Sequence, residues 1–330
     1  MLFLNNNIQA LGLGCWPIGG EMYGADGTSL GYTNVNDKDA INAIEAALTN
    51  GIRLFDTAAA YGAGHSERLL GKTLGNNSDA LIITKIGIAI DEQSKTLTGE
   101  DIDPATVQPA IERCLQRLQR EQIDLLLLHP NETTVTQAAP LFDEMDKARQ
   151  AGKITAYGWS TDITGNAEAM AKRDGFVAVE YAMHVLMDAP NMQGVTQDNN
   201  LHSLIRSPLA MGLLSGKYTS DSTLPSSDVR ASNPGWAKYY IDGKPNPDYI
   251  KRFQAVRELL QSDGRTTVQG ALGWLWGKSE NHIPVPGART VQQVEGLAGA
   301  LAHGPLPEPV MNEIEQLLGF ENVSPGNEAR

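Results

Sequence analysis

The sequence predicts an α/β fold, a (β/α)8 TIM barrel with a long loop after the seventh strand, on three observations. A short apolar segment ending in a turn or a helix start recurs eight times along the 330 residues. The stretches between these segments carry helical spacing. The segments themselves are nearly continuous in apolar residues, as strands covered on both faces are.

In order, the eight segments are residues 8–14, 52–58, 80–85, 123–129, 154–160, 176–181, 201–207 and 282–287. Helical spacing is plainest over 39–49, with Ala40, Ile44, Ala47 and Leu48, and over 107–118, with Ile111, Cys114, Leu115 and Leu118. Strands that alternate with helices must pair in parallel through right-handed crossovers, and eight such units close a barrel. A doubly wound open sheet is the competing architecture. Its glycine-rich turn should follow the first strand, where Leu11-Gly-Leu-Gly-Cys-Trp-Pro stands instead. No low-complexity linker divides the chain, so residues 1–330 read as one domain. Residues 217–248, rich in Ser, Pro, Asp, Gly and aromatics, read as the long loop, lying over the active face.

Acidic residues outnumber basic ones by 39 to 26, a net charge of −13 that argues against nucleic acid or an anionic membrane as partner. The opening MLFLNNNIQALG lacks a basic region followed by an apolar one, and no apolar run approaches the ~20 residues a membrane span needs. A cytoplasmic location is the expectation. Cys15 and Cys114 are too few for a disulfide framework and show no metal-type spacing. The six histidines form no H-x-H or H-E-x-x-H pattern, so no metal site is expected. Oligomeric state is left open.

Parallel barrels gather reactive groups at the C-terminal ends of their strands. The second, third and fourth segments end in Asp56 with Tyr61 just beyond, Lys85, and His129. A phenol titrating near roughly 10 is a sluggish acid at neutral pH, and a neighbouring ammonium brings it closer to the working range. Lys85 supplies that charge, Asp56 keeps Lys85 protonated and aimed, and His129 hydrogen-bonds a substrate oxygen or relays a proton. Together the four suit protonation of an oxygen that is receiving a hydride.

Through Phe55-Asp-Thr-Ala-Ala-Ala-Tyr-Gly62, Thr84-Lys85 and Asp124-Leu-Leu-Leu-Leu-His129, the sequence closely resembles the aldo-keto reductase family. The likeness runs from Leu11 to Thr290 and includes Gly64-His-Ser-Glu-Arg-Leu-Leu-Gly71. It implies a (β/α)8 barrel that reduces aldehydes or ketones, or oxidises alcohols, without metal. Catalytic roles then fall to Tyr61 as general acid or base, Lys85 and Asp56 as its tuners, and His129 as the group that orients the carbonyl. Trp16 lines the pocket for a small carbonyl substrate.

The same resemblance implies NADP(H), with NAD(H) the alternative. Gly287, Ala288 and Arg289 open a helix after the eighth strand, where Arg289 grips a 2′-phosphate and Gln293 supports the adenosine. Ser207, Leu209, Gly212 and Lys217, in a segment that includes Pro208, wrap the pyrophosphate, and Ser160 holds the carboxamide. Four positions depart from the family pattern. Thr161 and Leu297 replace asparagines, Ala178 replaces a glutamine, and Arg206 replaces the aromatic on which the nicotinamide stacks. A guanidinium also stacks on a ring, and its charge would favour the reduced cofactor. The alternative function is a nicotinamide-binding sensor or regulatory subunit with little turnover, against which the intact Asp56, Tyr61, Lys85 and His129 argue.

Overall fold

A computed structural model describes residues 1–233 and 238–319. Eight parallel strands form the barrel: β1 (Gly12–Gly14), β2 (Leu54–Asp56), β3 (Leu81–Ile86), β4 (Ile123–Leu128), β5 (Ile154–Ser160), β6 (Phe176–Ala182), β7 (His202–Arg206) and β8 (His282–Pro284). Each pairs with its sequence neighbour, and a parallel bridge from Gly14 to Gly287 joins the first strand to the last. At that seam a Cβ on Gly14 would lie 2.5 Å from the carbonyl oxygen of Val285. Only glycine lets the two edges come close enough for the Gly14 amide to donate to the Pro286 carbonyl at 2.9 Å.

Helices fall between the strands as expected, with starts set by caps that periodicity does not reveal. The first spans Asp37–Thr49, two residues earlier than the apolar spacing suggests, because the Asn36 side chain accepts from the amides of Lys38 and Asp39. The helix read over 107–118 spans Pro104–Leu118, capped by Asp103 with proline in its first turn. No helix among the described residues is long and apolar enough to cross a membrane.

Strand alternation gives the barrel two packed surfaces. Leu54, Leu81, Ile83, Leu125, Leu127, Ala156, Ala178, Leu204 and Ile283 fill its interior, closed from below by Phe3 and Ile8 of an N-terminal hairpin. Phe55, Ile82, Leu126, Leu128, Tyr157, Trp159, Val179, Tyr181 and Ile205 face the helices. The segment 217–248 is more structured than a plain loop. It holds a turn at Val229–Ala231, a hairpin of Tyr240–Ile241 with Lys244–Pro245, and the start of the helix Pro247–Leu260. Residues 234–237 of that segment and 320–330 of the expected domain lie outside the described residues. The segment reaches across to the chain after β1, where Val229 donates to the Gly31 carbonyl at 3.1 Å and the Ser29 hydroxyl donates to the Ser227 carbonyl at 2.6 Å.

Candidate active site

The alternation that fills the interior with apolar groups also selects what reaches the mouth. Two residues above Leu54, Ile83 and Ala178 on their strands stand Asp56, Lys85 and Glu180, and two residues above Leu127, just past the end of β4, stands His129. Ser160 on β5 is level with Glu180 on β6, and Arg206 ends β7. Asp56, Lys85 and Glu180 are buried, the last two almost completely.

Lys85 is the hub. Its Nζ donates to Asp56 Oδ1 at 2.5 Å, to the Thr57 carbonyl at 3.1 Å and to the Tyr61 hydroxyl at 3.4 Å, and it lies 3.2 Å from Glu180 Oε2. Tyr61 sits in the tight turn that follows β2. Gly62, at φ 60°, packs so closely against Gly19 that a Cβ there would lie 1.9 Å from the Gly19 oxygen. The Trp16 ring stacks on Tyr61 at 6.0 Å, and His129 meets it edge-on at 5.9 Å. Sequence reasoning therefore brought together five groups that do converge: Trp16, Asp56, Tyr61, Lys85 and His129.

The electrostatics differ from the expectation for Tyr61. Burial of the phenol pushes its pKa above the ordinary value, and Asp56 and Glu180 push the same way. Lys85 pulls it down without overcoming them. Burial likewise raises Asp56, helped by Glu180 and opposed by Lys85. For Lys85 itself burial works against the charge, but the two carboxylates outweigh it and the ammonium is held. Burial, then Lys85 and Arg206, push His129 down to about 3. A neutral imidazole at working pH favours the hydrogen-bonding role over the proton relay that the sequence left open.

Glu180 is the residue that sequence reasoning missed. It stands in Phe176-Val-Ala-Val-Glu-Tyr181, a run read as an apolar strand. Alternation was the available signal, since Glu180 shares the inward parity of Ala178. Ala178, matched to the family's glutamine, is fully buried in the interior layer, while Glu180 accepts from the Ser160 hydroxyl at 3.3 Å.

The other expected positions lie at the ends of β7 and β8, which are neighbours in the sheet. Arg206 is ion-paired with Asp162, whose other oxygen accepts from the Ala182 amide at 2.8 Å, so the guanidinium is tethered. Past it the backbone is strained: Ser207, Ala210 and Met211 have φ of 54°, 47° and 52°, and Gly212 has 92°. Leu209 is half-buried, and Lys217 is exposed with its Nζ 5.7 Å from the Tyr218 ring. After β8, Gly287 is exposed and Ala288 buried. The Arg289 guanidinium donates to the Thr33 carbonyl at 3.0 Å and lies 6.0 Å from the Tyr32 ring. Gln293 accepts from the Arg289 amide at 2.8 Å and so braces the helix start. The Thr161 hydroxyl donates to the Asn131 carbonyl at 2.9 Å, and Leu297 packs in the outer core.

A parallel barrel carries its reactive groups at the C-terminal rim, and here a buried ammonium stands against a phenol there. The aldo/keto reductase family model matches residues 10–318, and the chain belongs to that family. Aldo-keto reductase YhdN of Bacillus subtilis is 30% identical over 307 residues, covering 87% of this chain and 83% of that protein. Aldo-keto reductase yakc [NADP(+)] of Schizosaccharomyces pombe is 26% identical, covering 90% and 85%. The glycerol dehydrogenase of Gluconobacter oxydans superimposes with a TM-score of 0.78 at 26% identity, over 99% of this chain and 96% of that one.

Proposed function

We propose that this chain reduces small aldehydes or ketones to alcohols with NADP(H), with Tyr61 as the proton donor. The observation that carries the reading is one buried ammonium, Lys85, within 3.4 Å of the Tyr61 hydroxyl and 2.5 Å of Asp56 at the barrel mouth.

Three features fit a phosphorylated dinucleotide. Arg289 offers a cation beside the start of the helix Val291–His303, whose positive dipole end favours an anion. The left-handed run at Ser207, Ala210 and Met211 costs of the order of 1–3 kcal/mol per residue, and such strain concentrates at binding sites. Ser160 and Glu180 present a polar pair beside Lys85, suited to a carboxamide. The fission-yeast relative is named for NADP(+). These residues would hold the nucleotide from Arg289 at the phosphate end to Ser160 at the nicotinamide end. When bound, the nicotinamide supplies the hydride.

The chain's own groups do the rest. Tyr61 passes its hydroxyl proton to the carbonyl oxygen as negative charge builds there. Lys85 stabilises the phenolate left behind, and Asp56 keeps Lys85 charged. His129 is neutral, and its buried Nδ1 has no hydrogen-bond partner among the described residues, so the ring orients the oxygen and moves no proton. Trp16, stacked on Tyr61, gives the pocket an apolar wall.

The test is loss of NADPH absorbance with a panel of small aldehydes and ketones, with and without a chelator, repeated with NADH. Turnover that survives the chelator and prefers NADPH is expected. Tight NADPH binding with no turnover on any carbonyl would replace this reading with that of a nicotinamide-binding sensor.

A further inference from the structure

Two buried carboxylates converge on one buried ammonium, and the proton transfer above uses only one of them. Lys85 Nζ lies 2.5 Å from Asp56 Oδ1 and 3.2 Å from Glu180 Oε2. Glu180 is only 1% exposed, and its Oε1 accepts from Ser160 at 3.3 Å. We propose that Glu180 is a positioning residue that, as a second counter-ion to Lys85, weakens Tyr61 as an acid and keeps its hydroxyl protonated for carbonyl reduction. This rests on the reading of Tyr61 as the proton donor.

The charges around the cluster support it. Asp56 comes from β2, Lys85 from β3, Glu180 from β6 and Tyr61 from the turn after β2. His129, after β4, is neutral, and Cys15, after β1, is buried with its thiol pushed up by that burial and by Asp56, so it carries no charge. Arg206, from β7, is paired with Asp162, and Glu180 and Tyr61 feel its charge more weakly than Asp162 does. Two carboxylates therefore face one ammonium, and less of its field is left to stabilise a phenolate. An amide at this position would keep the contact to Ser160 without the charge. Burial, Asp56 and Glu180 do push the Tyr61 phenol up against the pull of Lys85.

The consequence concerns the direction of reaction. Reduction needs the phenol protonated, and alcohol oxidation needs it ionised. A weaker phenol carries reduction to higher pH and delays oxidation to more alkaline pH, with the overall equilibrium unchanged.

Glu180→Gln tests this. Tyr61 is titrated in the cofactor-free protein by carbon NMR of ring-labelled tyrosine, with its resonance assigned by Tyr61→Phe. The pH profiles of kcat/KM are recorded in both directions. The Tyr61 midpoint should fall by about one pH unit or more. The alkaline limb of reduction and the rising limb of oxidation should both move to lower pH with it, by the same interval of about one unit. Glu180→Asp keeps the charge and should stay near the wild-type midpoint. Should the glutamine variant not fold, Glu180→Ala carries the same expectation. An unmoved midpoint in a folded neutral variant, an equal shift in Glu180→Asp, or a shifted midpoint with an unmoved reduction profile would each overturn the proposal. If instead the midpoint shifts but Tyr61→Phe still reduces carbonyls, the donor assignment falls and the effect of Glu180 on acidity stands.

Discussion

Replacing Lys85 by methionine preserves most of the side chain's length and removes the charge. The ammonium touches Asp56, Thr57, Tyr61 and Glu180, and without it two buried carboxylates face each other with no cation between them. Removing one partner of a buried ion pair costs about 3–5 kcal/mol. Proton uptake relieves part of this, at about 1.4 kcal/mol per unit by which a carboxyl pKa rises. Burial and Glu180 already raise Asp56 in the wild type, against the pull of Lys85, and in the variant it rises further. A carboxyl whose folded pKa exceeds its unfolded value of about 3.9 binds more protons in the folded chain. Its contribution to stability is therefore lost as pH climbs from the unfolded pKa through the folded one. Lys85→Met should consequently be more destabilised at pH ~8 than at pH ~5, a difference read from urea unfolding midpoints followed by fluorescence. Carbonyl reduction should fall about 10²- to 10⁴-fold, the usual weight of a general acid. A loss under about 1 kcal/mol with no pH dependence would refute the electrostatic account, because it would mean that the carboxylates do not depend on Lys85.

Two further outcomes follow from the same geometry. Burial, then Lys85 and Arg206, hold His129 down to about 3, and burial, then Arg252, hold His184 down to about 3. Unfolded histidine titrates near roughly 6.5, so the unfolded chain takes up protons that the native one does not, and stability present above that pH is lost as pH falls below it. Imidazole NMR should show no titration of His129 between pH ~8 and ~5, and a midpoint near 6 would contradict its neutral, orienting role. Arg289→Ala should raise KM for NADPH about 10- to 100-fold, the worth of a charge-assisted hydrogen bond, and leave KM for NADH nearly unchanged. Equal effects on both cofactors would remove Arg289 from the 2′-phosphate.

The barrel was legible because the information is local. Each of the eight apolar segments announces a strand, and the helical spacing between them leaves a parallel closed sheet as the economical arrangement. Asp56, Lys85 and His129 were legible because strand ends in a parallel barrel all open on one face. Glu180 was hidden by its company, since four of the five other residues of Phe176-Val-Ala-Val-Glu-Tyr181 are plainly apolar or aromatic core groups. Attention to inward parity would have exposed it. The hairpin inside the 217–248 segment carried its own signal, the Asp242-Gly243 pair with both φ positive, which is the chemistry of a tight two-residue turn. The acidity of Tyr61 was not legible in any motif. It is a sum over burial, Asp56, Glu180 and Lys85, groups brought together from three strands and a turn.

The most direct test of the account is a single-turnover measurement with Tyr61→Phe, mixing enzyme and NADPH with an aldehyde that the wild type reduces. Cofactor fluorescence should report near-normal NADPH binding, while cofactor oxidation should fall by at least about a hundredfold. A variant that binds NADPH and oxidises it near the wild-type rate would show that the carbonyl oxygen takes its proton from elsewhere.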